Sequence, residues 1–171
     1  MTTGEDRPFP PQNGDERATL SGFLDFQRAT FEWKCAGLTP EQLARRSVSP
    51  SSMSLLGLAR HLTDVERGWF DRVRGGGRRR PMFWSEDDPE GDFDGAVADP
   101  AVVEEAFAAW HRAVDESREV VAATDLDATF EHERDGTTSL RWVLAHMLEE
   151  YARHNGHADL LREAIDGATG E

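Results

Sequence analysis

Residues 139–167 read SLRWVLAHMLEEYARHNGHADLLREAIDG, and this stretch decides the fold. At about 100° per residue, its apolar side chains form one narrow stripe along a helix: Leu140, Val143, Met147, Ala158, Leu161 and Ile165. The pattern predicts a helix over about 139–165. His154 falls inside the stripe and Glu150 lies beside it, so both side chains are expected to point towards the protein interior.

Three other stretches carry the same helical period. They predict long helices over about residues 15–37, 54–73 and 100–123. The pattern alternates with period two only in a short extended segment at 128–134, and the loop at 78–99 between the second and third helices is long enough to be functional. Four long helices joined in this way predict an all-α, up-and-down four-helix bundle.

The chain has 171 residues, of which 38% are hydrophobic, and this is enough to bury one well-filled core. Residues 1–14 are rich in proline, glycine and polar groups, which is typical of a flexible N-terminal arm that only docking on the body would order. We therefore expect an arm over 1–14 and a single domain over 15–171.

The net charge of the chain disfavours nucleic acids and anionic membranes as partners. With 33 acidic and 19 basic residues, the formal net charge is −14, which repels nucleic-acid phosphates and anionic membrane surfaces. No apolar run approaches the roughly 20 residues that cross a bilayer, and the N-terminus lacks the pattern of a signal peptide. The single cysteine, Cys35, excludes an intrachain disulfide and is expected in the core. A cytoplasmic protein without nucleic-acid or membrane partners is expected.

Two helices are expected to supply a metal site. Glu150 and His154 are four residues apart, so their side chains lie one above the other and can bind one cation. His61 stands between Leu58 and Val65 on the apolar face of the second helix and supplies a third ligand. Three protein ligands with one open position are typical of a catalytic divalent metal. Zinc is expected first, while nickel, cobalt and iron also suit two histidines and a glutamate.

Each of these residues also has an ordinary structural interpretation. A histidine on an apolar face is often a core residue bonded to a carbonyl or carboxylate, and a glutamate four residues before a histidine is a common helical pair. A buried carboxylate is costly unless it is paired or bound to a metal. The convergence of two histidines on one carboxylate therefore favours the metal site.

Four further residues are candidates for supporting roles. His157 and His146 lie at the edge of the same helical face, and either can be an alternative ligand, an orienting partner or a general base; His157 is the preferred catalytic candidate. Asp64, one turn along from the histidine of the second helix, is either its orienting partner or a solvated acid. Trp84 belongs to the apolar segment PMFW in the long loop, which either pins the loop to the core or lines a ligand pocket.

Three segments carry a family resemblance. They are SMSLLGLARHLTDVERGWF at 52–70, FWSEDDPEGDF at 83–93, and the C-terminal stretch from 139 to 170. They resemble the actinobacterial mini-circle protein (DUF664) branch of the DinB-like superfamily, and the resemblance covers nearly the whole chain. It implies a DinB/YfiT-like four-helix bundle that holds a divalent metal through one residue of the second helix and two of the last.

That implied ligand set falls on His61, Glu150 and His154, the residues already selected by helical periodicity. Where most of the superfamily has a third histidine, this chain has Glu150, which is similar to the His-Glu-His zinc site of mycothiol-dependent maleylpyruvate isomerase. The resemblance therefore implies a metal that activates a low-molecular-weight thiol such as mycothiol, the expected cosubstrate.

The leading hypothesis is a metal-dependent thiol S-transferase or isomerase that presents the thiol to an electrophile beneath the loop at 78–99, with Trp84 lining the pocket and His157 assisting proton transfer or orienting a ligand. One alternative is a metal-dependent hydrolase that uses bound hydroxide as the nucleophile. The other is a non-catalytic bundle that binds a metal or a partner, for example as a homodimer through exposed aromatic side chains.

Overall fold

The computed structural model describes residues 7–75, 80–132 and 136–170. Six helices and one antiparallel hairpin make up the secondary structure of this part of the chain: α1 (Glu16–Cys35), α2 (Pro40–Leu43), α3 (Leu55–Val73), α4 (Gly91–Asp94), α5 (Pro100–Ala123), β1 (Thr129–His132), β2 (Gly136–Ser139) and α6 (Leu140–Asp166). The described part is mostly helical, which confirms the all-α prediction. Of the segment expected to be extended, Thr129–His132 forms the first strand of the hairpin, and residues 133–134 lie outside the described part.

Local chemistry sets the ends of the long helices. The side chains of Asp15, Ser54, Asp99 and Ser139 each accept a hydrogen bond from a backbone N–H in the first turn of the helix that follows. After α6, Gly167 adopts a left-handed conformation with φ of 77°, which glycine reaches without the steric cost of a side chain. Each predicted long helix is present, with boundaries that differ from the prediction by at most two residues.

The long helices share one hydrophobic core. α3 packs against both α5 and α6, and α1 packs against α6, so α3 and α6 lie side by side. The α1 and α5 layers meet where Phe31 and Trp110 contact edge to face, with ring centroids 5.6 Å apart. Cys35 is buried in this core as predicted, and burial raises the pKa of its thiol. In the described residues, no helix is long and apolar enough to cross a membrane.

A buried polar network links the four long helices. Glu66 on α3 accepts two hydrogen bonds of 2.8 Å from Nε and Nη2 of Arg28 on α1. Ser117 on α5 and Tyr151 on α6 donate to the same carboxylate over 2.6 and 2.8 Å, and Trp110 donates to the Tyr151 hydroxyl over 2.9 Å. We call these five residues the Glu66 network. It was not predicted from the sequence, and every polar group at its centre has a partner.

The long loop begins with two residues held by α3 through their backbone. Asp64 accepts hydrogen bonds from the backbone N–H groups of Met82 and Phe83 over 2.7 and 2.9 Å. Phe83 is buried, so the PMFW segment pins the loop to the core. The prediction that Asp64 either orients the neighbouring histidine or is solvated was therefore wrong, because both of its oxygens are engaged by the loop.

A second attachment holds the other end of the loop. Arg60 donates to the carbonyl oxygens of Asp92 and Gly91 over 2.9 and 3.0 Å. The backbone of α3 also approaches the loop closely at Gly57, where an added Cβ would lie 2.6 Å from Cδ1 of Phe93 and 3.3 Å from its Cα. The loop is thereby fixed along one side of α3. Its first two residues, 78 and 79, lie outside the described part, as do 76 and 77 before it.

The segment before α1 contacts the body. Phe9 packs edge to face on Phe26 at a centroid distance of 5.7 Å, and Arg7 donates to the hydroxyl of Thr30 over 3.0 Å. Pro10 is buried. Residues 1–6 lie outside the described part, so the division into an arm over 1–14 and one domain stays a prediction.

Candidate metal centre

The structure brings together the three residues that the sequence selected as ligands. Each of His61, Glu150 and His154 offers one donor atom, and these three atoms lie within 4.8 Å of one another. Glu150 and His154 are on α6, where the nearest carboxylate oxygen lies 3.5 Å from Nε2 of His154. His61 reaches them from α3, and its ring centroid lies 4.8 Å from that of His154. We call these three residues the His-Glu cluster.

The carboxylate of this cluster is ionised. The hydrogen bond with His154 holds the pKa of Glu150 below its ordinary value, and the nearby imidazoles of His146 and His61 lower this pKa further. Burial acts in the opposite direction. The cluster therefore offers one anionic oxygen donor and two imidazole nitrogens, which suits a borderline divalent cation such as zinc.

Asp92 on α4 fixes the orientation of His61. Its Oδ2 lies 2.9 Å from Nδ1 of His61, while its Oδ1 accepts the backbone N–H of Phe93 over 3.0 Å. The Phe93 ring stacks on the imidazole at a centroid distance of 5.7 Å. A proton on Nδ1 that is donated to the carboxylate leaves Nε2 of His61 with its lone pair, as a metal ligand requires.

The sequence analysis missed Asp92. It lies 31 residues from His61 and within SEDDPEGDFD, where several acids follow one another without helical or strand periodicity. A carboxylate near the predicted ligands was expected, but Asp64 was the candidate. No sequence signal singles out Asp92 among its acidic neighbours.

His157 lies behind His154, one turn further along α6. The Nδ1 atoms of the two rings are 3.3 Å apart. The pKa of His157 is lowered, first by burial and then by the nearby His154 and Arg153, so its ring is neutral at pH 7. A neutral His157 can accept the Nδ1 proton of His154, which leaves Nε2 of His154 directed to the cluster. This geometry suits an orienting role.

His146 contacts the other oxygen of the cluster carboxylate. Its Nε2 lies 3.4 Å from Oε1 of Glu150, and its Nδ1 lies 3.4 Å from Oε2 of Glu149. The imidazole stacks on Trp142 at 5.0 Å and meets Trp69 edge to face at 4.6 Å. These contacts make His146 a partner of Glu150 rather than a member of the three-residue cluster.

A cavity of about 340 Å³ adjoins the cluster. It lies between α3 and the long loop, and His61 and Asp92 both line it. Trp84, the predicted pocket residue, forms part of its wall. A small molecule in this cavity would lie directly beside the metal-ligating candidate of α3.

One comparison with known proteins identifies a family over most of the chain. A family model described as mycothiol-S-transferase matches residues 19–167, a span that contains all three residues of the His-Glu cluster and the whole cavity wall. None of the curated proteins matches the chain.

Proposed function

The chain belongs to the mycothiol S-transferase family, and on that premise we propose that it joins the sulfur of a low-molecular-weight thiol to an electrophile at the His-Glu cluster. The observation that carries the proposal is the convergence of three ligand atoms within 4.8 Å, beside a cavity large enough for a substrate, in a chain of this family. We further infer the mini-circle protein branch of the DinB-like superfamily and its up-and-down four-helix bundle.

The residues present fit a divalent metal. In the described part of the chain, the side-chain contacts of Glu150 run to the imidazoles of His146 and His154, and a neutral imidazole has a lone pair that can bind a metal. We propose that His61, Glu150 and His154 hold the ion and that it is zinc, although nickel, cobalt and iron suit the same donors. A bound divalent metal would lower the pKa of the thiol and favour its thiolate at neutral pH.

The protein's own residues prepare the cluster for this role. Asp92 can accept the Nδ1 proton of His61, and His157 can accept the Nδ1 proton of His154. Both Nε2 atoms can then offer a lone pair once a metal takes the place of the hydrogen bond between His154 and Glu150. Because both hydrogen bonds fix a ring as well as a tautomer, the ligand set is organised before any ligand arrives. His157 is proposed as a positioning residue on this ground.

The loop and α3 supply the place where the second substrate meets the thiol. Asp64 and Arg60 hold the loop against α3, and Trp84 lines the cavity between them. A substrate bound between α3 and the loop would be partly shielded from bulk water, which strengthens its interactions with charged side chains. Thiol-dependent isomerisation would start from the same thiol at the same cluster, and we propose it as the second candidate reaction. We also propose that the protein forms a homodimer.

A direct absorbance assay tests the function. Purified protein is mixed with mycothiol and 1-chloro-2,4-dinitrobenzene, and thioether formation is followed by absorbance. We expect thiol-dependent turnover in the wild type and a loss of about a hundredfold or more in His61→Ala, because a metal ligand is removed. His111→Ala is the matched control, since His111 is exposed and pairs with Glu32 away from the cluster.

Two results would contradict the proposal. Turnover of an ester or amide without thiol, lost in His61→Ala, would instead support the metal-dependent hydrolase. Metal bound at full occupancy in a protein that transfers thiol to no electrophile would support the non-catalytic metal-binding bundle.

A further inference from the structure

We propose that the cavity beside His61 binds the electrophile and that this electrophile is a planar molecule with a carboxylate group. The inference rests on the proposed function and names the substrate class of the same site. It is carried by three features of the cavity lining: its basic side chains, its aromatic walls and a glycine in the middle of α3.

The position of the cavity is the first step. It follows α3 over about three turns, from His61 to Arg72, with the long loop as its opposite wall. His61 and Asp92 lie at the end next to the His-Glu cluster. A molecule that fills the cavity therefore has one end beside the atoms that are proposed to hold the thiol.

The charge of the lining is the second step. Arg67, Arg72 and Arg80 all line the cavity, although the chain has a net charge of −14. The two lining acids are already engaged: Asp64 accepts two backbone N–H groups, and Asp92 contacts His61 and a backbone N–H. The contact between Arg67 and Asp64 is long, at 3.5 Å. The lining as a whole favours an anion, and arginine binds carboxylates through paired N–H groups.

The shape of the lining is the third step. Trp69 and Trp84 form aromatic walls, and the guanidinium of Arg72 lies over the Trp69 ring at 4.3 Å. The volume of about 340 Å³ is at the small end of ligand pockets. Aromatic walls and a limited volume suit a small planar molecule that contacts the indole side chains.

Gly68 is an independent sign of a ligand. Glycine is a poor helix former, yet Gly68 lies in the interior of α3. An added Cβ would meet no atom within 4 Å, so the packing of the protein does not require glycine there. Gly68 lines the cavity, and a methyl group would project into it. We infer that the glycine leaves room for the substrate.

The proposed reaction can be written with a simple probe, 4-chloro-3-nitrobenzoate. The thiol sulfur forms a bond to the ring carbon that carries chlorine, the carbon–chlorine bond breaks, and chloride leaves with its electron pair. The thiol proton passes to the buffer. The matched neutral probe is 4-chloro-3-nitrobenzamide, which has the same ring and leaving group without the charge.

The first experiment measures binding without thiol and without turnover. Quenching of tryptophan fluorescence gives the Kd of 4-nitrobenzoate and of 4-nitrobenzamide on the metal-loaded protein. We expect the benzoate to bind about tenfold more tightly, and Arg67→Gln and Arg80→Gln each to remove most of that preference. A carboxylate also binds metal directly, but such binding would not depend on Arg80, which lies on the loop. Equal Kd values for the two probes would overturn the proposal.

The second experiment uses the glycine. Gly68→Ala and Gly156→Ala both add a methyl group to a helix at a position where it meets no atom within 4 Å, but only Gly68 lines the cavity. Both variants are expected to raise the melting temperature, because alanine favours helix. Only Gly68→Ala should weaken 4-nitrobenzoate binding, by about tenfold. Unchanged binding in Gly68→Ala would overturn the assignment of the cavity.

The closing experiment separates this inference from the proposed function. In steady-state assays with mycothiol, Arg80→Gln should raise KM for 4-chloro-3-nitrobenzoate by about tenfold and leave KM for the thiol unchanged. A raised KM for the thiol alone would assign the cavity to the thiol and overturn the inference while leaving the function intact. A wild type that prefers 4-nitrobenzoate in the binding test but transfers no thiol would refute the function instead.

Discussion

Glu66 on α3 and Glu150 on α6 both place a carboxylate among polar side chains between packed helices, but their surroundings differ. Glu66 is fully buried and accepts hydrogen bonds from Arg28, Ser117 and Tyr151. Glu150 is half-buried, and its neighbours are imidazoles. Arginine and hydroxyl groups donate hydrogen bonds to the carboxylate at any ordinary pH. A neutral imidazole has one N–H that can donate a hydrogen bond and one nitrogen lone pair that can bind a metal.

The difference between the two carboxylates lies in whether the protein itself satisfies all of their neighbours. In the Glu66 network, charge and hydrogen-bonding capacity are matched within the protein, so the network can only hold the helices together. In the His-Glu cluster, one donor atom from each of three side chains lies within 4.8 Å of the others beside a cavity, and Asp92 and His157 contact Nδ1 of the two imidazoles. The first arrangement is complete, and we propose that the second binds a cation.

The largest expected effect comes from breaking the complete network. Glu66→Gln leaves the buried guanidinium of Arg28 with only the partly exposed carboxylate of Asp25 as a counter-charge and should lower the free energy of unfolding by about 3–5 kcal/mol. Urea unfolding of the metal-stripped protein measures this change without a contribution from metal binding. Glu32→Gln is the control, because its pair with His111 is exposed, and we expect less than about 1 kcal/mol. Equal losses in the two variants would mean that the Glu66 network does not stabilise the fold.

A smaller effect, on metal content and on the stability that metal provides, is expected at the His-Glu cluster. Glu150→Gln and His154→Ala should each reduce the metal content from about one ion per chain to near zero, as measured by mass spectrometry. The as-purified variants should lose about 3 kcal/mol of apparent stability, the contribution of a metal present at roughly a hundredfold above its Kd. Without metal, Glu150→Gln should unfold within about 1 kcal/mol of the wild type.

His157→Ala is the control for this comparison. Its side chain contacts His154 but is not one of the three donors, so the variant should keep most of its metal, with an affinity lowered no further than in Asp92→Asn. Full metal occupancy in Glu150→Gln or His154→Ala would show that the ligand assignment is wrong.

The smallest expected effect tests the support of the cluster. Asp92→Asn keeps all three donors but weakens the acceptor for the His61 proton, so the affinity for metal should fall by about 10–100-fold. Competition with a coloured chelator measures this affinity. Asp94→Asn is the matched control, because Asp94 is exposed and pairs with Arg46 outside the cluster. An unchanged affinity for metal in Asp92→Asn would show that Asp92 only helps to pack the loop and does not support metal binding.

Helical periodicity predicted the helices and the convergence of His61, Glu150 and His154, because it gives the face of a helix that each residue occupies. The same signal was present at Glu66, which lies four residues after Leu62 and four before Phe70. Spacing predicts that such a residue is inward, but it does not reveal whether its partners complete a closed network or an open one. That distinction depends on contacts between residues far apart in sequence, such as Arg28 and Glu66.

The loop was less accessible to sequence reasoning. Its length suggested function, but its residues follow neither the helical nor the strand period, so their faces could not be assigned. For this reason the orienting role expected of Asp64 belongs to Asp92, which the sequence did not single out. The acid one turn from His61 holds the loop, and the acid 31 residues away holds the imidazole. Tertiary placement of an aperiodic segment decides both contacts.

The attachment of the loop through its main chain bears on how the specificity of this protein can change. Asp64 and Arg60 bind backbone N–H and carbonyl groups, which every loop sequence offers apart from the missing N–H of proline. Side chains on the cavity side, such as Trp84 and Arg80, can therefore be exchanged while the loop keeps its course. A library of loop variants that leaves the α3 anchors untouched would explore new electrophiles on an unchanged scaffold.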